Sequence, residues 1–432
     1  MTAPPARNPG LPFNIAKLLR LIAVIGLAVT ALLLYRPRYS ADSQVHLQGY
    51  ELFAVAESLV EHHSFSDPFA PLPTGPSAHV GPLYPAYLAL VFTVLGHGSA
   101  SVAVLMWTAS LLFTLQVALL PLLTRQLHLG FWPGALAAVG WIAAGIPPAV
   151  LSDATFASVL VMVASYLMGR CLAEEASGWL FCLWAVVWAA LFLVQPVAVV
   201  VLASWLLLLH FRFRKSARQK LVLGLLPILL VTPWTARNFL VFHKLFFIRD
   251  NLGIELAASN RTCATALFDV NDADGCSAST HPNENLAEAL KVRELGEIEY
   301  NRVREAEAID WIKANPKAFA VLSVQRFEAF WFPPRSERPG NGVMLVPLVL
   351  HCFTLLSVPG LLIMWRNARF GCYAVGLWLL CFPLIYYLIQ FMMRYRYPIV
   401  WATCVAGSYF IVEIVQGIAG KEAIPSSTAS PT

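Results

Sequence analysis

Three carboxylates and a set of arginines are the residues of this sequence best suited to chemistry. Asp42 and Glu51 lie in YRPRYSADSQVHLQGYELFAVAESL, residues 35 to 59, directly behind an apolar run. Asp153, in GIPPAVLSDATFASVL, stands where one apolar run ends and the next begins. An ionised group is costly there unless it is paired or hydrated. Ser-Asp is also good N-cap chemistry for the helix that follows, and capping does not exclude a second role. Arg237 sits in TPWTARNF, Gln195 between two further runs, and Arg394 and Arg396 in FMMRYRYPIV. Arg binds phosphate bidentately, so two guanidiniums at a lipid interface suit an anionic headgroup or a phosphate. They also suit snorkelling anchors beside the belt tyrosines Tyr395 and Tyr397. Pro398 disfavours helix at Tyr397 and predicts an extended entry, on which both arginines would project to one side. Carboxylates and arginines at a membrane surface fit transfer of a group from a phosphorylated lipid. A sugar leaving as lipid phosphate needs no general acid, because phosphate is already a stable anion. It needs a carboxylate base for the acceptor hydroxyl and cations for the developing charge.

These residues must be positioned by membrane helices. The chain is 58% apolar and 13% charged, with a mean hydropathy of +0.64, outside the range of a soluble domain of this length. The net charge of +5 gathers in short loops, and nothing in the sequence suggests nucleic acid. Apolar segments fall near 17–36, 82–96, 100–123, 131–150, 154–171, 179–194, 196–211, 221–239, 342–364, 371–389 and 395–416. The first has Lys17 and Arg20 before it and no small-residue cleavage site after it, and reads as an uncleaved anchor. The segment 82–96 is short for the roughly 30 Å hydrocarbon layer and suits an interfacial helix. Leaving it out places the basic loop FRFRKSARQK on the same side as Arg7, Lys17 and Arg20, as the positive-inside rule asks. The expected fold class is an all-α polytopic membrane protein of about ten transmembrane helices, both ends cytoplasmic, with interfacial helices in the first outer loop and a small, mostly helical periplasmic segment.

Residues 1–239 then form an N-terminal transmembrane catalytic module whose first outer loop is 37–99. Residues 240–341 are the periplasmic segment, 342–418 the C-terminal transmembrane helices and 419–432 a disordered tail. Leu52, Val55, Ala56, Leu59 and Val60 follow helical spacing opposite Glu57 and Glu61, which predicts a helix lying along the membrane. Residues 282–331 read as two or three charged helices, punctuated at Asn315-Pro316. Six cysteines lie in or beside apolar runs and behave as small hydrophobes. Cys263 and Cys276 share the polar segment without a zinc spacing, which predicts a disulfide in an oxidising compartment. No cofactor motif is present, and the two outer carboxylates accommodate one divalent metal ion or none.

In this order, GPLYPAYLALVFTVLG, LSD, PWTARNF with NLGIEL, AIDWIKANPKAFAVLSVQRFEAFW and RYRYPI resemble the bacterial GT-C glycosyltransferases, including relatives of protein mannosyltransferases and of the aminoarabinose transferase of lipid A. The resemblance runs from about 30 to 400. It implies a polyprenyl-phosphate sugar donor, an inverting mechanism, an outer-loop carboxylate base and an active site facing the periplasm of a bacterial inner membrane. Asp42 in SADSQV takes the place of the base, with Glu51, ahead of LFAVAESL, as the alternative; the usual Asp of that pattern falls on Gln48. Asp153 matches an acid at the start of a span. Gln195-Pro196 stands where many relatives have Arg-Pro, and His79 is the nearest polar substitute for a lysine that some members carry. With Arg237, Arg394 and Arg396 these are the expected substrate-binding residues. The acceptor is a lipid, a glycan or a protein, and membrane lipids are partners. The alternative is a transporter or lipid flippase, which wants ionisable residues at mid-membrane depth, whereas here they sit mainly at span ends, Glu413 excepted.

Overall fold

The computed structural model describes residues 13–37, 50–146, 153–172, 177–334 and 345–422; Asp42 lies outside them. The chain is an all-α polytopic membrane protein, and among the described residues no strand forms. The apolar segments become α1 (Phe13–Tyr35), α3 (Leu83–Leu95), α4 (Ser99–Gln126), α5 (Phe131–Ala143), α6 (Ala154–Arg170), α7 (Gly178–Val194), α8 (Ala198–Phe211), α9 (Ala217–Phe242), α15 (Leu345–Arg366), α16 (Gly371–Cys381) and α18 (Val400–Glu422). The first outer loop contributes α2 (Glu51–His62). The polar segment contributes α10 (Leu252–Ser259), α11 (Phe268–Ala273), α12 (Leu286–Leu295), α13 (Glu297–Ala314) and α14 (Pro316–Trp331), and a four-residue α17 (Met393–Arg396) precedes α18. Three charged helices thus occupy 286–331, and Pro316 opens α14 at the first helical position, where its missing N–H costs nothing. α18 runs past the expected boundary at 418 to Glu422.

Large leucine, isoleucine and valine side chains stay exposed on α1, α4, α9 and α15. Lipid asks for no polar cover, so such faces are the natural outer surface of a membrane bundle. Inside, Trp141, Trp184, Trp188, Trp205, Trp378 and Trp401 are fully buried. α15 crosses α18 closely: a Cβ on Gly360 would collide with the Ala406 carbonyl, the small-residue packing expected where helices associate in lipid.

The bundle has two chemically different ends. At one, Gln219 and Lys215 donate to the carbonyls of Cys171 and Leu172, and the Gly371 amide to that of Leu127. At the other, α2, α3 and the polar segment meet the ends of α6, α7 and α9. α3 starts and finishes at this second end. Gly81 lies against the carbonyls of Leu193 and Val194 at the close of α7, and His97 pairs with Glu57 of α2 at 3.6 Å. Thirteen residues of helix reach about 20 Å, short of a crossing. α2 buries Leu52, Val55 and Ala56 of its expected stripe, together with Phe53 outside it, against Tyr84, Leu88, Val91 and Phe92 of α3.

Candidate functional site

Pro196 forces the residue before it out of helical conformation, so α7 ends at Val194 and Gln195 is released with φ −132° and ψ 85°. Its side chain crosses to the mouth of α6. Asp153 occupies the N-cap position there but caps nothing with its side chain. Its Oδ1 instead accepts from Gln195 Nε2 at 3.1 Å, while the Tyr386 hydroxyl donates to Gln195 Oε1 at 3.3 Å. All three residues are buried. The positive charges acting on the Asp153 carboxyl are Arg249 and Arg394. Arg249 lies between α9 and α10. Arg394 lies on α17, stacks over Tyr395 at 5.3 Å and feels the carboxylates Glu51 and Glu255. Among the described residues, the direct ion pairs involve other cations, and both guanidiniums are half-buried.

A second group surrounds His79. Glu51 sits in the first turn of α2, where a carboxylate complements the helix dipole, and its Oε1 lies 4.0 Å from His281 Nε2. Glu51, His79 and His281 each offer a metal-ligating atom, and these atoms all lie within 4.8 Å of one another. Burial, with repulsion from His281, Arg249 and Arg394, holds the His79 imidazole pKa well below its usual value, so the ring is neutral. Its loop is fastened on both sides. The Arg237 guanidinium donates to the carbonyls of Ser77 (2.8 Å) and Phe65 (2.9 Å). Glu297 of α13 accepts from Ser77 Oγ (2.7 Å) and the Ala78 amide (2.6 Å). Glu297 is buried, and that burial pushes its pKa up to about 8.

The structure separates the two arginines that the sequence groups together. Met393–Arg396 is helical and continues through a 3-10 turn, Tyr397–Ile399, with Tyr397 at φ −48° and ψ −45°. The expected extended entry does not form, because Pro398 sits in the first turn of the new helix and Tyr397 has turn geometry that tolerates it. Two residues on a helix diverge by about 200°, and the side chains go opposite ways. Arg396 is fully buried and donates to the carbonyls of Phe330 (2.9 Å) and Trp331 (2.6 Å) and to Thr354 Oγ1 (2.5 Å). Its fork is occupied by the protein, as is much of Arg237's. Sequence reasoning missed Arg249, Glu255 and His281. Their signals were charged residues in IRDNLGIEL and a His-Pro step, none of them a motif.

The segment leading to Arg394 is itself held by the polar region. The Phe268 amide donates to the Phe391 carbonyl (3.1 Å) and Phe391 back to Ala266 (2.7 Å), while Asn271 donates to Gln390 Oε1 (2.6 Å). The Cys263–Cys276 disulfide closes this loop, its Cα atoms 5.9 Å apart. From α14, buried Arg326 donates to Asn260 Oδ1 (3.0 Å), to the Leu388 carbonyl (2.9 Å) and to that of Ser259.

No protein-family model and no curated protein matches the chain. Solved structures do. The apo oligosaccharyltransferase of Archaeoglobus fulgidus superposes with a TM-score of 0.56 at 11% identity, over 97% of this chain and 53% of its own. The same organism's oligosaccharyltransferase AglB, in complex with an inhibitory peptide and a dolichol-phosphate, gives 0.53 at 13% identity over the same shares. The chain shares its fold with that enzyme. It spans about half of the enzyme's length. ArnT from Cupriavidus metallidurans, bound to undecaprenyl phosphate, aligns at TM-score 0.40 and 12% identity, over 96% of this chain and 82% of that one.

Proposed function

We propose that this chain is a membrane glycosyltransferase that moves a sugar from a polyprenyl-phosphate donor to an acceptor at the face where α2 and the polar segment meet the bundle, with inversion at the sugar carbon. One observation carries the reading: Arg249 and Arg394, half-buried and without a direct ion pair among the described residues, converge beside buried Asp153 at one end of an apolar bundle. Neutral acceptors occupy Arg237 and Arg396, which leaves Arg249 and Arg394 as the cations for an incoming phosphate. Their charge stabilises the leaving lipid phosphate. Asp153, oriented by Gln195 and by Tyr386 behind it, sets a buried carboxyl beside the two guanidiniums. The base that takes the acceptor hydroxyl's proton is a first-loop carboxylate, Asp42 or Glu51. The arginines supply positive charge there whether or not a divalent ion joins them. The oligosaccharyltransferase of the same fold is known in complex with a dolichol-phosphate, a ligand of this chemical class. The bacterial inner membrane, with this face toward the periplasm, is the setting that the positive-inside pattern favours.

The test compares lipid and glycan extracts of cells carrying the wild-type gene, no gene, or Arg394→Ala. A sugar-modified product should vanish in both deficient strains while its lipid-linked donor accumulates. Wild-type product levels from Arg394→Ala, at equal protein abundance, overturn the proposal.

A further inference from the structure

We propose that the cavity between the loop after α10 and the start of α14 holds the phosphate of an anionic phospholipid, whose acyl chain lies along the exposed apolar face of α14. The cavity measures about 320 Å³ and is lined by Arg261, Trp311, Lys317, Ala318, Val321 and Leu322 among others. That size suits a headgroup-sized ligand. The lining has two cations and no acid.

Arg261 points to the anion. It is half-buried, and its Nε and Nη2 are shut away from solvent with no hydrogen-bond partner. Buried Arg326 and Arg396 leave only Nε unpaired and fill the rest of the fork with acceptors of the fold. The Arg261 guanidinium makes no hydrogen bond or ion pair among the described residues. Such donors have lost water and gained nothing. The charge acting on Arg261 is a like one, Arg304, which is itself paired with Glu288 and Glu307. A phosphate in the cavity satisfies the orphaned donors, and a guanidinium takes it bidentately. α14 adds its first turn, where a helix carries partial positive charge and Asn315 supplies no side-chain cap.

The face of α14 points to a lipid. At about 100° per residue, Lys317, Val321, Val324, Phe327 and Trp331 fall within about 120° of one another around the helix. Val321, Val324 and Phe327 are 55%, 67% and 48% exposed. A helix with such a face and a lysine on it suits a membrane interface. Its far end rests on the membrane bundle: Trp331 Nε1 donates to the Tyr387 hydroxyl at 2.8 Å, and Phe327 packs on the Tyr387 ring at 5.1 Å. The apolar face therefore runs from the cavity to the bundle, in the order of a headgroup and its chain.

The full-length protein is reconstituted in phosphatidylcholine liposomes with a phosphatidylglycerol that carries a photoreactive diazirine in its acyl chain, and cross-links are mapped by peptide mass spectrometry. Wild type should be labelled on α14 between Val321 and Phe327. Unlabelled phosphatidylglycerol should suppress the label, while extra phosphatidylcholine and soluble glycerol phosphate should not. Arg261→Gln, which breaks no hydrogen bond of the fold, should lower the label about tenfold, as loss of a charge-assisted contact does. Lys317→Gln, at an exposed position, should lower it as well. Arg293→Gln, an exposed arginine of α12, should label as wild type does. An unlabelled α14 in wild type, equal competition by phosphatidylcholine, full label in Arg261→Gln, or displacement by glycerol phosphate, which would make the ligand a water-borne phosphate, would each overturn the assignment. None of these readouts depends on glycosyl transfer.

Discussion

Arg394 and Arg396 differ by two positions in sequence and by everything else in space, so the same substitution should do opposite things at them. Arg396→Lys leaves one ammonium to replace a planar fork that reaches two backbone carbonyls and one hydroxyl. At least two of the three acceptors lose their donor. A buried polar group left unpaired costs about 1–3 kcal/mol, and hydrogen bonds from charged donors lie at the upper end, so the loss is roughly 2–6 kcal/mol of folding stability. In a detergent melt that should lower the apparent midpoint by several degrees. Arg394→Lys keeps the charge in a half-buried position with no close ion pair to break, and its melt should stay near wild type. Its loss should fall on the phosphate, where exchanging a bidentate fork for a point charge costs turnover about tenfold or more, roughly 1.4 kcal/mol. Melting curves and binding of a short-chain polyprenyl phosphate, run side by side, give both readings. If Arg396→Lys melts with wild type and loses lipid phosphate as strongly as Arg394→Lys does, the separation argued from the helical turn is wrong.

Glu297 predicts a pH effect. Its folded pKa of about 8 stands above the ordinary 4.5, so the folded state binds the extra proton and stability falls as pH rises from about 5 to 8; Glu297→Gln, whose oxygen still accepts from the Ala78 amide while its NH2 donates to Ser77 Oγ, should flatten that slope in melts across the range, and an unchanged slope refutes it. Cys263→Ser with Cys276→Ser should loosen the loop that pairs with residues 390 and 391, at a cost of about 3 kcal/mol for a loop of this size, seen as faster proteolysis after α10. Wild-type proteolysis would show that the pairing stands without the bridge. Single cysteines at Gly98 and Thr280 in a Cys-less background should react with an impermeant label from the same side of the membrane, because α3 does not cross. Labelling from opposite sides would overturn the placement of α3.

The helices were legible because the signals for them are local. Apolar runs, a period of 3.6 in α2 and a proline at Asn315-Pro316 each act within a few residues, and the observed boundaries fall close to those read from the sequence. The burial of Asp153 at the mouth of α6 was legible for a related reason, since it stands between two apolar runs. The cations were not. A sequence shows that a guanidinium is present, but its five N–H donors can be satisfied by carbonyls far along the chain. Phe330 and Trp331 lie 66 and 65 positions before Arg396, and Phe65 and Ser77 lie 172 and 160 before Arg237. Arg249, Glu255 and His281 were invisible for the converse reason, since only tertiary packing brings their parts of the polar segment to the membrane helices.

The buried arginines explain how a four-residue helix can hold the proposed phosphate-binding Arg394 in one place. α17 has no side-chain cap and is far too short to hold itself. Arg396 ties its last residue to the end of α14, and the pairing of 266–268 with 391 ties the residue chain before it to the bridged loop. Arg326 fixes Leu388 to α14 from the other side. Between these anchors the backbone at Arg394 has one course, so its guanidinium is placed without needing an ion pair to hold it there. A guanidinium placed by its backbone rather than by a carboxylate keeps its donors for an anionic ligand. The anchors in turn use neutral acceptors, so no carboxylate from them competes with the phosphate. The polar segment therefore helps to place Arg394, and because Phe330 of α14 also stacks on Tyr386 at 6.1 Å, deleting α14 should remove lipid-phosphate binding.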